Sequence, residues 1–358
     1  MKVEWVSSAT RLEELEEPWN DLAELEGTPF SRHAWFVAWL GAFGGDRQRT
    51  LLIWRGGRLA AAMPMVASRS GLAAMTNAHT PVFRPLARDR DSLSLLAGEL
   101  FDAGTRSVVV SSLPMEDDAR QALVDAARAR GRLIDVGDGL ISPVVETSGD
   151  FASWREMSKP RWHSPLERYR RKMSRDHEAR FQLLQAPREL DETFESGLVL
   201  ERSGWKGRAG TAILSRPETT DFYSSVASAF ARRGELSVSS IHLDGQMVAF
   251  DLCLLDRGRL YLLKTAYDES MRRLAPGLVL RLSVIERCFE IGLSAHELLG
   301  GADAYKLTFS TSERRHVEMR CYRRLPIPAA QYAYLHTLKP GLRTVYRSLR
   351  RKHSNRGT

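Results

Sequence analysis

Between Glu235 and Ala266 the chain offers three strand-like runs, Glu235–Leu243, Gln246–Leu255 and Arg259–Ala266, split by Asp244-Gly245 and Asp256-Arg257-Gly258. β-branched and apolar runs joined by Asp-Gly-type turns predict consecutive hairpins. A polar loop follows, Tyr267 to Ala275, and then the period changes. Pro276-Gly277 opens a run in which Leu278, Leu282, Ile285 and Phe289 fall on one helical face. A strand, a loop with a close-approach glycine and a helix start together present unpaired backbone N–H groups to an anion. A short strand, His296–Leu299, then leads through Gly300-Gly301 to Tyr305 and Lys306 beside the same helix.

The same reading extends over the second half of the chain. It predicts strand Arg180–Gln185, helices Pro187–Ser203 and Pro217–Arg233, helix Gly277–Ile291, a turn near Asp303–Phe309 and strand His316–Arg323. The first half repeats the plan: strand Val3–Val6, helices Arg11–Glu24 and Arg32–Phe43, hairpin Leu51–Trp54/Leu59–Val66, helix Leu93–Ala103, strand Ser107–Ser111, helix Asp117–Ala129, and strands Leu133–Val136 and Pro143–Glu146. Its loop Pro81–Asp91, the counterpart of Tyr267–Gly277, has prolines and charges but no glycine, so it is poorly suited to wrapping an anion. The predicted class is α/β, as two tandem units of mixed sheet flanked by helices. Residues 1–146 form a degenerate first domain, 147–179 a basic and aromatic linker, 180–325 the active domain and 326–358 a basic tail.

Composition narrows the class. The chain has 358 residues, 43% hydrophobic and 27% charged, as in a soluble globular protein, and no apolar run approaches the length a bilayer needs. The N-terminus, Met1-Lys2-Val3-Glu4-Trp5, lacks a signal-peptide core, which predicts a cytoplasmic protein. Three cysteines, Cys253, Cys288 and Cys321, have no metal-ligand spacing and are expected to be buried thiols, and no metal is predicted. The net charge of +8 is uneven: Met319 to Thr358 carries ten Lys/Arg and no acid, leaving 42 basic against 44 acidic residues before it. Within this tail Leu342, Val345, Tyr346 and Leu349 share one helical face among Arg343, Arg347, Arg350, Arg351 and Lys352. Such a segment either docks on the body or is solvated, or it touches an anionic membrane surface or nucleic acid.

Several residues carry candidate chemistry. The linker Asp150–Glu178 holds Trp154, Trp162, His163, Arg168, Arg170, Arg171, Lys172 and Arg175. Closely spaced arginines such as Arg170 and Arg171 suit a phosphorylated or polymeric acceptor. Alternatively, the segment is an exposed helix packing Leu166, Tyr169 and Met173 on the domain junction. Trp205-Lys206, among Gly204, Gly207 and Gly210, reads as a loop that closes over a ligand, or as a plain connection anchored by Trp205. Asp251 lies on an otherwise apolar strand face between Ala249 and Cys253 and must find a partner or shift its pKa, which makes it the candidate general base. Tyr305 has a phenol suited to proton donation, although a Tyr-Lys pair is more often a packed ring beside a solvated amine.

Four segments together resemble the GNAT superfamily of N-acyltransferases, and in detail its CelD/BcsL-type branch, associated with bacterial cellulose and exopolysaccharide loci. They are Ser203-Gly204-Trp205-Lys206-Gly207-Arg208-Ala209-Gly210-Thr211-Ala212, Lys264-Thr265-Ala266-Tyr267-Asp268-Glu269, Ala275-Pro276-Gly277, and Gly300-Gly301 followed by Tyr305-Lys306. A looser likeness covers Pro29–Ala38 and Thr50–Met65, and a weaker one reaches the Fem-type transferases, which share the double plan but draw on aminoacyl-tRNA. The GNAT resemblance implies acyl-CoA, acetyl-CoA first, as donor. Its pantetheine would lie along Arg259–Tyr267, against Lys264, Thr265, Ala266 and Tyr267, and its phosphates at Arg272, Arg273, Pro276 and Gly277. The segment Arg273-Leu274-Ala275-Pro276-Gly277-Leu278 departs from the family's usual phosphate-loop signature in having one glycine. The resemblance makes Tyr305 the acid that protonates the departing thiolate and Lys306 the group polarising the acyl carbonyl. The implied activity is acyl transfer to an amino or hydroxyl group of a sugar or envelope precursor. The alternatives are a Fem-like transferase, for which nucleic acid becomes a partner, and a non-catalytic accessory of polysaccharide synthesis.

Overall fold

The computed structural model describes residues 1–25, 28–158 and 163–324. Trp162 of the linker and the basic tail 326–358 lie outside the described residues. Fourteen strands form two sheets among these residues. The smaller sheet has the order β1 (Lys2–Val6), β2 (Thr50–Arg55), β3 (Arg58–Met63), β6 (Leu86–Ala87). The larger contains β4 (Met65–Ser68), β5 (Gly71–Ala74), β7 (Ser107–Pro114), β8 (Leu133–Glu146), β9 (Ala179–Gln185), β10 (Leu236–Leu243), β11 (Gln246–Asp256), β12 (Arg259–Tyr267), β13 (Ala295–Glu297) and β14 (Ser312–Tyr322). Its order, β4-β5-β7-β14-β8-β13-β12-β11-β10-β9, crosses from one half of the chain to the other and back.

The crossing is an exchange of final strands. β14, the last strand of the second half, pairs with β7 from His316↔Pro114 to Tyr322↔Ser107 and, on its other edge, with β8 from Ser312↔Val144 to Tyr322↔Leu133. β8, the last strand of the first half, meets β13 at Ala295↔Glu146. Each half's short parallel-type strand therefore has the other half's terminal strand as its neighbour. The two strands expected at Leu133–Val136 and Pro143–Glu146 are one continuous strand. Gly137-Asp138-Gly139 resembles a turn in sequence, but a Cβ on Gly139 would stand 2.7 Å from the His316 carbonyl oxygen. That glycine is set by the close passage of β14, at a bulge where Gly139 and Leu140 of β8 face the single residue His316.

The three expected strands appear as β10, β11 and β12 in antiparallel register. Side chains of β11 alternate between two cores, Phe250, Leu252 and Leu254 in one and Ala249 and Cys253 in the other. Helices Glu192–Ser203 and Pro217–Arg232 cover the first face and helix Pro276–Glu290 the second. The first core is continuous with that of the N-terminal half, where Trp35 meets Phe222 edge-on at 5.1 Å between ring centres. The helix expected over Arg11–Glu24 is broken into Ala9–Glu13 and Glu16–Ala23, and the one over Arg32–Phe43 ends in a π-turn, Leu40–Gly44. The linker forms helices Phe151–Met157 and His163–Asp176, with Trp154, Leu166 and Met173 buried in the second core. All three cysteines are buried and free. No described helix is long and apolar enough to cross a membrane.

One ion cluster ties the halves together at the end of β11. Arg32 Nη2 donates to Asp256 Oδ1 at 2.7 Å, with Glu235 at 3.6 Å and Glu24 also paired to the guanidinium. The Arg32 side chain is 5% exposed and that of Asp256 2%, so removing the cation strands a buried carboxylate. Arg32→Met is expected to cost about 3–5 kcal/mol. It should appear as a lower urea midpoint with an unchanged slope, and a midpoint equal to the parent's would contradict this.

Candidate active site

β12 and β13 run side by side only from Arg259↔Ala295 to Tyr261↔Glu297. Past that point β12 continues to Tyr267, whereas Leu299, in the left-handed region at φ 49°, turns the other strand away into Gly300. On the opposite edge of β12 the register with β11 slips between Leu252 and Cys253, leaving Leu263 as an extra residue whose bulge bends the strand. The two strands splay, and among the described residues no strand pairs with the edge Leu262–Tyr267 on this side. The wedge opens into a cleft of about 760 Å³. One wall is Leu262–Tyr267, the other Leu298–Gly300 with Tyr305 and Lys306, and the N-terminal half closes it with Asn77–Pro81 and Leu140.

Most of the residues singled out in sequence meet here. Lys264, Thr265, Ala266, Tyr267, Arg272, Gly277, Trp205, Lys206, Tyr305 and Lys306 all line the cleft. The structure does not bring Asp251, Arg273, Pro276, Arg170 or Arg171 to it. Arg273 is exposed on the outer side of the turn Glu269–Leu274, and Pro276 is buried at the helix start. Arg170 pairs with Glu286 at 2.5 Å on the back of helix Pro276–Glu290, and Arg171 points to solvent. Asp251 is fully buried behind Arg281, whose Nη2 donates to Asp251 Oδ1 at 2.8 Å. Burial pushes this carboxyl up, and the guanidinium opposes the shift.

The helix start is less open than its sequence suggests. Pro276 has no N–H, while Leu278 and Val279 both donate to the Ala275 carbonyl at 3.0 Å, made possible by a left-handed Ala275 at φ 48°. In the first turn Gly277 alone keeps a free N–H for an anion. A Cβ there would lie 3.3 Å from the Tyr267 ring, so glycine leaves room beside that ring. The Arg272 side chain, on the rim, makes no hydrogen bond or ion pair with a described residue and adds a cation at the same end.

Two lysines brace the two walls. Lys206 Nζ donates to the Thr265 carbonyl at 2.7 Å and to Glu201 Oε1 at 2.9 Å, and the other Glu201 oxygen accepts the Ile213 N–H at 2.8 Å. The glycine-rich stretch before and after it is not a loose loop. Trp205–Arg208 is a helical turn fastened by Glu269, which accepts from the Trp205 N–H at 2.6 Å and from Arg208 at 2.7 Å. Lys306 Nζ donates to Leu299 O at 2.7 Å and Gly301 O at 3.3 Å, with Asp303 at 3.4 Å, so its three protons are engaged in holding the opposite wall. The Tyr305 phenol has no hydrogen-bond partner among the described residues, and burial pushes its pKa up to about 12.

Sequence reading missed Glu201, Tyr223, His79 and Arg281, which also line the cleft. His79 stacks on Phe43 at 5.6 Å, its Nδ1 lies 3.3 Å from the Tyr223 hydroxyl, and burial lowers its pKa to about 4. No short-range pattern announces residues brought in by a first-half loop and by helices. Arg281 did carry a signal: a cation inside the apolar stripe of Leu278, Leu282 and Ile285 needs a buried partner, as Asp251 does. No described group of His, Cys, Asp and Glu is arranged to hold a metal ion.

A mixed sheet split between two strands, with a helix start at the mouth of the split, is the acyltransferase architecture of the GNAT class, present here as two tandem units. Residues 163–307 match the family described as acetyltransferase (GNAT) domain. Solved structures of similar fold include FemX, 10% identical, with 93% of this chain and 99% of that one covered at a TM-score of 0.59. The C-terminal domain of a putative lysylphosphatidylglycerol synthetase from Agrobacterium fabrum is 13% identical over 90% of this chain and 95% of that one, with a TM-score of 0.55. L-PGS from Bacillus licheniformis is 14% identical over 88% and 94%, with a TM-score of 0.55. At such identities the likeness is one of fold. No curated protein sequence matches the chain.

Two imidazoles, half-buried His79 and buried His296, contribute strongly to the response to acid. His79 is lowered from 6.5 to about 4, and His296, which accepts from Arg281 Nη1 at 2.8 Å, to about 3. Below pH 6.5 the unfolded chain takes up protons at both sites and the folded chain does not, so stability falls as pH drops from about 6.5 toward 4. Imidazole NMR signals of both residues should remain those of the neutral ring at pH 5.5 while the urea midpoint declines from pH 7. Titration of either ring near its ordinary value would contradict the assignment.

Proposed function

We propose that the protein moves an acyl group, acetyl first among candidates, from acyl-CoA to an amino group, or less readily a hydroxyl, on a sugar or cell-envelope precursor. The observation that carries this reading is the unpaired edge of β12 along the wedge, ending at the Gly277 N–H and the Arg272 side chain. An extended pantetheine amide fits such an edge as an added strand, with Thr265 and Tyr267 as its backbone partners while Lys264 and Ala266 turn their backbone groups to β11, and phosphates fit the cationic helix start. Attack by the amine on the thioester carbonyl breaks the carbon–sulfur bond, and the departing thiolate needs a proton. Tyr305, protonated at neutral pH and facing the cleft, is the group placed to give it. Lys306 reaches a carbonyl only by giving up its bonds to Leu299 and Gly301, so its first role in this reading is to hold the wall that carries Tyr305. Asp251 holds Arg281 from behind rather than taking the amine's proton directly. The resemblance to the CelD/BcsL-type branch favours an exopolysaccharide or cellulose-related acceptor. The N-terminal sequence favours a cytoplasmic setting, and the basic tail read in the sequence favours peripheral contact at the inner face of the membrane.

A second reading, aminoacyl transfer from charged tRNA, draws on one specific observation. A helix start with a single free N–H is a sparse cradle for a pyrophosphate.

Calorimetry with coenzyme A and acetyl-CoA separates the two. On the first reading both bind the full chain, and Gly277→Trp, folded by circular dichroism, loses at least about tenfold in affinity because the indole fills the mouth of the wedge. Unaltered binding would remove the site. With an acceptor in hand, Tyr305→Phe should lower kcat by about 10²–10⁴-fold with donor affinity retained. Lys306→Met should weaken donor binding and turnover together. A Tyr305→Phe enzyme with full turnover would exclude the phenol as acid.

A further inference from the structure

The side chain of Lys264 leaves β12 on the opposite face from the donor path. Lys264 pairs across the sheet with Leu252, whose side chain lies in the first core under helices Glu192–Ser203 and Pro217–Arg232. Its neighbour Thr265 pairs with Asp251 on the face of helix Pro276–Glu290. The ammonium therefore enters the compartment closed by the first-half loop Asn77–Pro81, away from Gly277 and Arg272. There it sits 4.8 Å from the centre of the Tyr223 ring. It makes no hydrogen bond or ion pair with any described residue. Glu201, the nearest acid by its influence on Lys264, has both oxygens occupied by Lys206 and by the Ile213 N–H. His79 on the other side of Tyr223 is a neutral ring and supplies no counter-charge. Burial lowers the Lys264 pKa, which is the strain expected of an ammonium held out of water without an anion.

We propose that Lys264 receives an anionic group of the acceptor, a carboxylate or a phosphate, so that the preferred acceptors are amines bearing an acidic group. This deepens the acyltransfer reading and rests on it for the identity of the ligand as acceptor. A ring-face contact with Tyr223 steadies the cation without neutralising it, leaving its N–H groups for an oxyanion. The neutral His79 and the Tyr223 hydroxyl beside it supply hydrogen bonds and no repulsion.

The test uses matched amines that differ only in the acid: glucosamine against glucosamine 6-phosphate, and cadaverine against lysine. Binding is measured by calorimetry on the full chain without donor, then kcat/KM with acetyl-CoA. The parent protein should bind the acidic member of at least one pair at least about tenfold more tightly, which also tells phosphate from carboxylate. Lys264→Met should erase that preference, Lys264→Arg should restore some of it, and affinity for coenzyme A should survive in both. The proposal is overturned if Lys264→Met keeps the preference, if the parent distinguishes neither pair, or if the loss falls on coenzyme A instead. Because amine binding is read without donor, a protein that binds no coenzyme A would strike the donor assignment and leave this measurement standing.

Discussion

The molecule depends on two strands being lent across the middle of its chain. β14 lies between β7 and β8, and β8 reaches β13, so neither half has a complete sheet from its own residues. Backbone N–H and C=O groups along these long strands are satisfied only when both halves are folded together. The constraint makes the sheet one cooperative unit. It also fixes the orientation of the two halves, and with it the position of Asn77–Pro81 over the split between β12 and β13. Arg32 adds a second tie at the end of β11, through Asp256 and Glu235.

Given that frame, the cleft is produced by small irregularities. The bulge at Leu263 and the left-handed turn at Leu299 each displace a strand by a residue or less, yet together they separate neighbouring strands that would otherwise pair along their length. One carbonyl so released on each wall is taken up by a lysine. Lys206 takes the Thr265 carbonyl on one wall and Lys306 the Leu299 carbonyl on the other. Beneath them Asp251, Arg281 and His296 form a buried row linked by hydrogen bonds, and the Nδ1–H of His296 ends it at the Leu260 carbonyl, 3.2 Å away.

Local pattern is a sound guide to what local forces decide. The hairpins β10 to β12 and the helix after Pro276 follow from turn chemistry and period, whereas the donor-site residues on them that line the cleft are picked out by family resemblance. Features caused by distant partners are not legible in the same way. Gly139 looks like a turn residue until β14 passes beside it, and Gly204 and Gly207 look like flexibility until Glu269 fastens the turn. Asp251 reads in sequence as a carboxylate in need of a partner, and it has one. No local pattern tells that Arg281 lies between it and the cleft. His79 and Tyr223 come together only because helix Pro217–Arg232 packs on the first half, a contact with no counterpart in spacing.

Lys206 has a place that none of the other cleft residues has, since it touches the edge of β12 through Thr265 and the opposite compartment through Glu201. A molecule that competes for the Thr265 carbonyl must loosen the ammonium, and loosening it uncovers the Glu201 carboxylate beside Lys264. Occupancy at one end of the cleft thereby changes the charge presented at the other. Linkage is reciprocal, so a ligand on the Lys264 side alters the free energy of filling the β12 edge by the same amount.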